Sequence, residues 1–296
     1  MDLSVCIVSF NTRDLLRDCL NSLFSSPARY SYEVIITDNG SSDGSQKMLA
    51  AGFPRVQVIR NDTNLGYTRP MNQALQAVAG RYLMQLNPDT LLHPGLIDAL
   101  MDYMDANPQV GICTPKVLNR DGTLQKQCRR SAARPWDAIS YILGLSRLFP
   151  GSRFFGRYLM EYLPDDQIAE VEAVSGSCML IRRAVIEQIG YLDEQFFAYQ
   201  EDADFCFRAR KAGWKICFVP QAQVTHYGGQ GGSRVVPYRG IYAWHRSFYL
   251  YYRKHLAREY FFLINGLVYL GIGIKLLFTL LINAVRKEKI VGTKKP

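Results

Sequence analysis

Four apolar runs of strand length, each followed by a helical pattern, fill the first 118 residues, and no other feature of the chain restricts its folding so strongly. "LSVCIVSF" (3–10) precedes a stretch with Leu15, Leu16, Cys19, Leu20, Leu23 and Phe24 on one helical face. "YEVIITDN" (32–39), "VQVIRN" (56–61) and "YLMQLNPD" (82–89) are likewise followed by "SQKMLAAG", "RPMNQALQAVAG" and "PGLIDALMDYM". Strands and helices in this alternation predict an α/β fold around a mostly parallel, doubly wound, Rossmann-like sheet with right-handed crossovers. Ligands of such sheets bind beyond the carboxyl ends of the strands. Polar residues gather at those ends: Ser9 and Asn11, Asp38 to Ser45, Asn61 to Asn72, and Asn87 to Thr90.

The pattern fails between Arg129 and Glu172, which is rich in Arg, Pro and aromatic residues; it is read as an irregular insertion on the acceptor side of the domain. Regularity returns with "VSGSCMLIRR", the helical patterns "AVIEQIG" and "EDADFCFRARKAG", and the strand pattern "WKICFVP". A 296-residue chain with 48% hydrophobic residues has ample material for the core of a domain spanning 1–238. The seven cysteines are scattered without a C-x-x-C pair, so they point to buried thiols in a reducing compartment and not to a zinc site or disulfide framework. The first residues, "MDLSVCIVSF", read as a strand rather than a signal peptide.

The formal charge of +9 is localised: residues 239–296 hold eleven Lys or Arg against two Glu, leaving 24 of each sign before them. These basic residues flank "YFFLINGLVYLGIGIKLLFTLLINAV" (260–285), 26 residues with Lys275 as the sole charge. As a helix it would measure about 39 Å at ~1.5 Å per residue, against roughly 30 Å of bilayer hydrocarbon. Residues 239–296 are therefore expected to form a membrane-association region, spanning the bilayer or lying in its interface, rather than a nucleic-acid-binding face.

Five short motifs carry chemistry, and each also has a purely structural reading. "DNGSSDGS" (38–45) offers Asp38 as an acceptor for a base N–H, or a turn with a helix cap. "NLGYTRPMNQAL" (64–75) sets Asn64, Gly66, Arg69 and Asn72 at a helix N-terminus, where anions collect. "LNPDT" (86–90) presents Asn87 and Asp89 at a strand tip, suited to a hard cation bridging phosphates or to an ordinary Pro turn. "FFAYQEDADFCFRARKAGW" (196–214) crowds Glu201, Asp202 and Asp204 at a helix start. Asp204 and Arg208 can pair at i,i+4, which leaves Glu201 and Asp202 in the preceding loop as candidate general bases; complementarity to the helix dipole is the alternative. His226 in "VTHYGGQGG" (224–232) is a candidate metal ligand or a satisfied surface histidine.

In their order and spacing, "VSFN", "DNGSSDGS", "NLGYTRPMN", "LNPDT", "SGSCMLIRR", "EDADFCFRARKAGW" and "VTHYGG" resemble the family 2 inverting glycosyltransferases of the GT-A fold, within them the bacterial rhamnosyltransferase-like branch, over residues 2–230. The resemblance implies a nucleotide-sugar donor, a divalent cation (Mg2+ or Mn2+) on its pyrophosphate, and one-step displacement at the anomeric carbon. It further implies roles: Ser9, Asn11 and Asp38 around the nucleobase and ribose; Asn64, Gly66, Arg69 and Asn72 over the ribose and phosphates; Asp89 and His226 on the metal, Asp89 thereby also on the donor; Asp202 as base with Glu201 beside it; Asp204 and Arg208 in support, Arg208 also on the donor side. Asn87 stands where GT-A enzymes commonly have the first acid of Asp-x-Asp, and is expected to meet the donor rather than the metal. The function implied is rhamnosyl transfer from dTDP-rhamnose to a hydroxyl of a lipid-linked glycan, for O-antigen or other surface polysaccharide, at the cytoplasmic face of a bacterial inner membrane. Oligomerisation is left open, and the alternatives are another donor such as a UDP-linked hexose or HexNAc, a nucleotidyltransferase, or a non-catalytic membrane-anchored binding or scaffold protein.

Overall fold

The computed structural model describes residues 1–149, 151–228 and 237–286. The glycines at 229–232 and the basic cluster after Arg286 lie outside the described residues.

The expected units form: β1 (Leu3–Ser9), α1 (Arg13–Ser25), β2 (Tyr32–Asp38), α2 (Ser45–Gly52), β3 (Gln57–Arg60), α3 (Thr68–Gln76), β4 (Tyr82–Leu86), a short β5 (Thr90–Leu92) and α4 (Leu96–Ala106). After β6 (Val110–Leu118) the chain runs through β7 (Arg129–Arg130), α5 (Pro135–Ile142), α6 (Leu145–Leu148), β8 (Ala169–Glu170), β9 (Ala173–Val174), β10 (Cys178–Arg182), α7 (Arg183–Ile189), α8 (Glu201–Lys211) and β11 (Lys215–His226). Helix Pro237–Tyr251, a π-turn at Tyr252–Leu256 and helix Phe262–Val285 follow.

The main sheet has strand order β3-β2-β1-β4-β10-β6-β11-β5, with β8 paired to β11. β1, β2 and β4 are parallel neighbours, and every residue of β1 and β4 is buried, as helices on both faces require. Helix α1 buries Leu16, Cys19, Leu20 and Leu23, the stripe expected from its spacing. All seven cysteines are buried free thiols, most of them in this core.

The sheet is mixed: β10 runs antiparallel between β4 and β6. Parallel neighbours bring their carboxyl ends to one edge, whereas an antiparallel strand brings its beginning there. Ser175, Gly176 and Ser177 thus reach the edge where Leu86 ends, and Asn87 N–H donates to Ser177 O at 2.9 Å. The insertion contains α5, α6 and a two-stranded ribbon that pairs Arg130 with Ala173. Buried Arg129 anchors it: the guanidinium donates to Leu163 O and Pro164 O and lies 4.7 Å from the Phe218 ring centre.

Helix Phe262–Val285 has mean hydropathy 2.0, and only 6% of its most apolar window is buried. Its buried residues are Thr279 and Asn283, whereas Leu267, Leu270, Leu277, Phe278 and Leu281 face outward. Its partner, Pro237–Tyr251, packs back on the domain through Ile241, Ala243, His245 and Ser247.

Candidate active site

A cavity of about 610 Å³ opens at the carboxyl edge of the sheet. Its walls come from the β1 end (Val8, Phe10, Thr12), the loop before α3 (Asn64, Gly66, Tyr67), the β4 end (Asn87, Pro88, Asp89) and the start of β10 (Ser175–Ser177). Arg130, Tyr141 and Tyr158 of the insertion, the 197–202 segment, His226, and Trp244 and Phe248 of helix Pro237–Tyr251 contribute the rest of the wall.

Asp202 lies against this cavity, buried and fully engaged on one side. Its Oδ2 accepts from Arg130 Nη2 at 2.8 Å and from Gly176 N–H at 3.0 Å, and its Oδ1 accepts from Ala203 N–H at 2.6 Å. Oδ1 keeps a further lone-pair site for another proton donor. Burial works against the charge on Arg130, but the Asp202 carboxylate outweighs it and holds the guanidinium above its usual range. Asp202 is therefore not partnerless as its sequence setting suggests; the partner lies 72 residues earlier, on β7. Nor does it sit in a loop, because Glu201 and Asp202 are the first two residues of α8.

Glu201 differs from its neighbour. Its Oε2 is buried without a hydrogen-bond partner. Burial first, and the adjacent Asp202 charge second, raise its carboxyl from 4.5 to about 8. Tyr199 and Gln200, immediately before it, both adopt positive φ, at 67° and 62°. Non-glycine residues in that region carry backbone strain, which clusters at functional segments.

Asp89 and His226 meet because β11 pairs with β5 in the register Thr90↔His226. His226 Nε2 stands 3.2 Å from Asp89 Oδ1 and 3.3 Å from Asn87 Nδ2, while Nδ1 is 2.8 Å from Gln125 Oε1. With Nδ1–H donated to Gln125, the Nε2 lone pair faces a carboxylate oxygen, an arrangement that calls for a cation or a weak donor between them. Two ligands at right angles on an ion with bonds of ~2.1 Å lie about 3.0 Å apart, so this pair fits a divalent cation that takes its other ligands from phosphates and water. Tyr67 Oη donates to Asn87 Oδ1 at 3.3 Å. Its phenol is driven well above its usual range by burial and then by Glu201, Asp202 and Asp89, which places all three carboxylates around one ring.

Asn39, passed over in the sequence, ties the donor-side loops together. Its Nδ2 donates to Gly66 O at 2.7 Å and Asn64 Oδ1 at 3.1 Å, and its Oδ1 accepts from Leu65 N–H at 3.1 Å. Asp38 beside it is fully buried, with Oδ2 taken by Gln46 and Oδ1 without a partner. Ser9 and Asn11 line no part of the cavity: Ser9 Oγ pairs with Thr12 Oγ1, and Asn11 Oδ1 accepts from Ser42 N–H. They clip the β1 and β2 loops together and leave the wall to Phe10 and Thr12.

Three residues expected at the donor stand outside the cavity lining. Arg69 is exposed on the first turn of α3, outside the cavity lining. Asn72 is buried and holds the loop after α7, bonding Leu192 O, Leu192 N–H and Glu194. Arg208 pairs with Asp204 at 2.8 Å as expected, but its other nitrogens donate to Ile189 O and Tyr191 O and none reaches the cavity. Asp204 is wholly buried, and His255 and Lys254 also bind it. Burial would raise its carboxyl, yet His255, Lys254 and Arg208 together carry it down to about 2.

This mixed sheet with a carboxylate-lined cavity at its carboxyl edge is a glycosyltransferase fold of the GT-A type. The chain belongs to glycosyl transferase family 2, which it matches over residues 4–190. It is 30% identical over 260 residues to N-acetylglucosaminyl-diphospho-decaprenol L-rhamnosyltransferase of Mycobacterium tuberculosis, covering 84% of this chain and 83% of that protein. Low-salt glycan biosynthesis hexosyltransferase Agl10 of Haloferax volcanii is 28% identical over 219 residues, 73% of this chain and 64% of that one. Among solved structures, S. aureus TarS 1-349 in complex with UDP-GlcNAc superposes with TM-score 0.56 at 16% identity, over 85% of this chain and 66% of that one. A Pyrobaculum calidifontis mannosyltransferase in complex with GDP-Man and Mn2+ gives TM-score 0.56 at 15% identity, over 85% of this chain and 63% of the other. At these identities the structural likenesses bear on the fold alone.

Proposed function

We propose that this glycosyltransferase is an inverting, metal-dependent enzyme that moves rhamnose from dTDP-rhamnose to a hydroxyl of a lipid-linked glycan at a bacterial membrane. The observation that carries the reading is the pairing of two centres in one cavity: Asp202, held by Arg130 at the head of α8, and the Asp89–His226 couple at the β4 and β11 ends. Displacing a nucleoside diphosphate requires a base for the incoming hydroxyl and neutralisation of the leaving phosphates. Burial and the adjacent Asp202 charge push the Glu201 carboxyl toward its neutral form, so the role of base falls to Asp202 through the free site on Oδ1. Asp89 and His226 would hold the Mg2+ or Mn2+ ion, which when bound supplies positive charge to the donor pyrophosphate. Asn39, Asn64 and Gly66 belong to the donor side, where Asn87 and Tyr67 border the same wall; Asp38, with its partnerless Oδ1, is buried beside Asn39 outside the lining.

Relatives support the acceptor class: the mycobacterial rhamnosyltransferase is named for a decaprenol-linked substrate. The outward-facing apolar helix Phe262–Val285 agrees with residues 239–296 acting as a membrane-association region attached to a 1–238 catalytic domain. Transfer is tested by incubating the protein with Mn2+ and a panel of nucleotide sugars that includes dTDP-rhamnose and UDP-linked hexoses and HexNAc, and measuring nucleoside diphosphate release. Asp202→Asn is expected to lower release by 100-fold or more, on the order of what a positioned base contributes, with donor affinity retained. Equal turnover by that variant removes Asp202 as the base, and release from a donor other than dTDP-rhamnose alone overturns the donor assignment.

A further inference from the structure

The insertion between β7 and β8 carries a second outward-facing apolar surface, separate from the C-terminal helix. Ile142, Leu143, Leu148 and Phe154 are each more than 60% exposed, and Trp136 and Phe149 stand beside them. The rings are joined, because Trp136 lies 5.0 Å from Phe154, Phe154 5.1 Å from Phe155, and Phe155 5.2 Å from Phe149; Ile142, Leu143 and Leu148 stand at the ends of α5 and α6, the helices that lead from Trp136 to Phe149. Exposed apolar residues are ordinary when scattered, but a joined patch of this size marks a contact surface.

Charge identifies the occupant. Between Asp137 and Glu161 the chain holds three arginines and no acid. Arg157 reaches Asp137 and Glu172, while Arg147 and Arg153 are exposed and have no acidic partner among the described residues. Aromatic and branched apolar side chains interleaved with unpaired arginines are what an anionic lipid interface binds. A folded protein partner would more often bring carboxylates matched to fixed positions.

Position agrees with charge. Ala133, just before α5, and Tyr260, just before the exposed Phe261 and Phe262, pack against the same buried cluster of Tyr251, Tyr252 and Leu256. The insertion patch and the start of the apolar C-terminal helix are thus neighbours on the surface. The insertion also walls the active cavity, through Tyr141 and Tyr158, and so does the helix Pro237–Tyr251, through Trp244 and Phe248; Lys275 of the apolar helix lies over the Trp244 ring.

We infer that residues 135–149 and 151–155 form a second membrane-inserting surface, specific for anionic lipid, which with the C-terminal helix seats the active cavity on the bilayer. The inference rests on the reading that this enzyme works at a membrane, and goes beyond it by assigning a surface within the catalytic domain. The acceptor hydroxyl would then enter between two lipid-facing elements without leaving the interface.

Reporter cysteines test it, since every native cysteine is buried and leaves an introduced thiol as the accessible one. The full chain carrying Leu148→Cys, Leu267→Cys or Lys47→Cys is labelled with an environment-sensitive fluorophore and reconstituted with phosphatidylglycerol vesicles that contain doxyl-labelled lipid. Quenching at 148 and 267 but not at 47 is expected. Quenching at 267 alone overturns the inference and leaves the membrane reading standing; quenching at neither overturns both. A reporter at 148 that is shielded without vesicles, in a protein that sediments as a dimer, assigns the patch to a second copy and also overturns the inference. As an independent measure, the exposed pair Ile142→Glu/Leu148→Glu should lower partitioning into phosphatidylglycerol vesicles by roughly tenfold or more, as loss of two buried aliphatic side chains demands. Partitioning within twofold of the parent would count against the patch, and nucleotide-sugar binding without vesicles reports that the variant is folded.

Discussion

Gly66 gives a perturbation whose size is worked from geometry. It has φ +94, and a Cβ built there falls 2.3 Å from Phe197 O and 2.7 Å from the Phe197 ring. The carbonyl cannot retreat freely, because it accepts from Tyr67 N–H at 2.7 Å. Gly66→Ala therefore bears two costs: about 1–2 kcal/mol for a β-carbon in the left-handed region, and about 1–3 kcal/mol for a backbone clash that must be relieved by moving the aromatic loop. Gly95 separates the two, since its φ is +78 but nothing lies within 4 Å of its Cβ position. Gly95→Ala should show the conformational cost alone. Urea unfolding in detergent micelles, read by circular dichroism, is expected to place Gly66→Ala about 2–5 kcal/mol below the parent, and Gly95→Ala about 1–2 kcal/mol below it. The displaced loop runs through Phe197 to Glu201, so Gly66→Ala should also lower turnover while Gly95→Ala does not. Equal destabilisation by the two substitutions would refute the argument, because it would mean that the contact with Phe197 carries no weight.

Two further expectations concern the titratable groups. His226→Ala should raise the Mn2+ concentration needed for half-maximal nucleoside diphosphate release by tenfold or more, the range seen when one ligand-shell partner is lost, and Asn87→Ala should change it less; a metal titration showing the opposite ranking removes His226 from the ion. Glu201 has a folded-state value near 8 against 4.5 ordinarily, so the folded chain retains a proton that the unfolded chain releases between those values, and stability falls as pH rises through that window. Glu201→Gln abolishes this slope: its stability relative to the parent should climb from pH 4.5 to about 8 and then level off, and parallel pH profiles would show that Glu201 is not raised.

What sequence patterning reveals here are the contacts between near neighbours. Helix α1 and strands β1, β2 and β4 follow directly from apolar periodicity, and Asp204 with Arg208 follows from i,i+4 spacing. The meeting of Asp89 with His226 was implied by resemblance, yet its cause is a three-residue strand, β5, too short to stand out as a pattern. The Asp202–Arg130 pair was hidden twice, by 72 residues of separation and by a segment without periodicity. Asn72 is ambiguous on local reading, because a polar residue near a helix start is compatible with a ligand or with a nearby backbone carbonyl, and tertiary packing alone selects between them. Lys254 and His255 on Asp204 were illegible for the same reason: fifty residues of chain had to fold before they met.

The antiparallel course of β10 has a consequence for how such a fold can diversify. β6 leaves the active edge at Leu118, and the chain returns to that edge at Cys178 on the strand alongside, with Leu180 opposite Cys113. The two stems of the excursion therefore stand next to each other, and lengthening the segment between Arg130 and Ala169 adds little closure entropy and leaves the pairing of β1, β2, β4 and β10 as it is. The excursion supplies Arg130, Tyr141 and Tyr158 to the cavity and Gln125 to His226 Nδ1, while Asp89 and His226 themselves stand at the β4 and β11 ends. One side of the cavity wall can thus change in length and composition while the parallel half of the sheet stays unaltered.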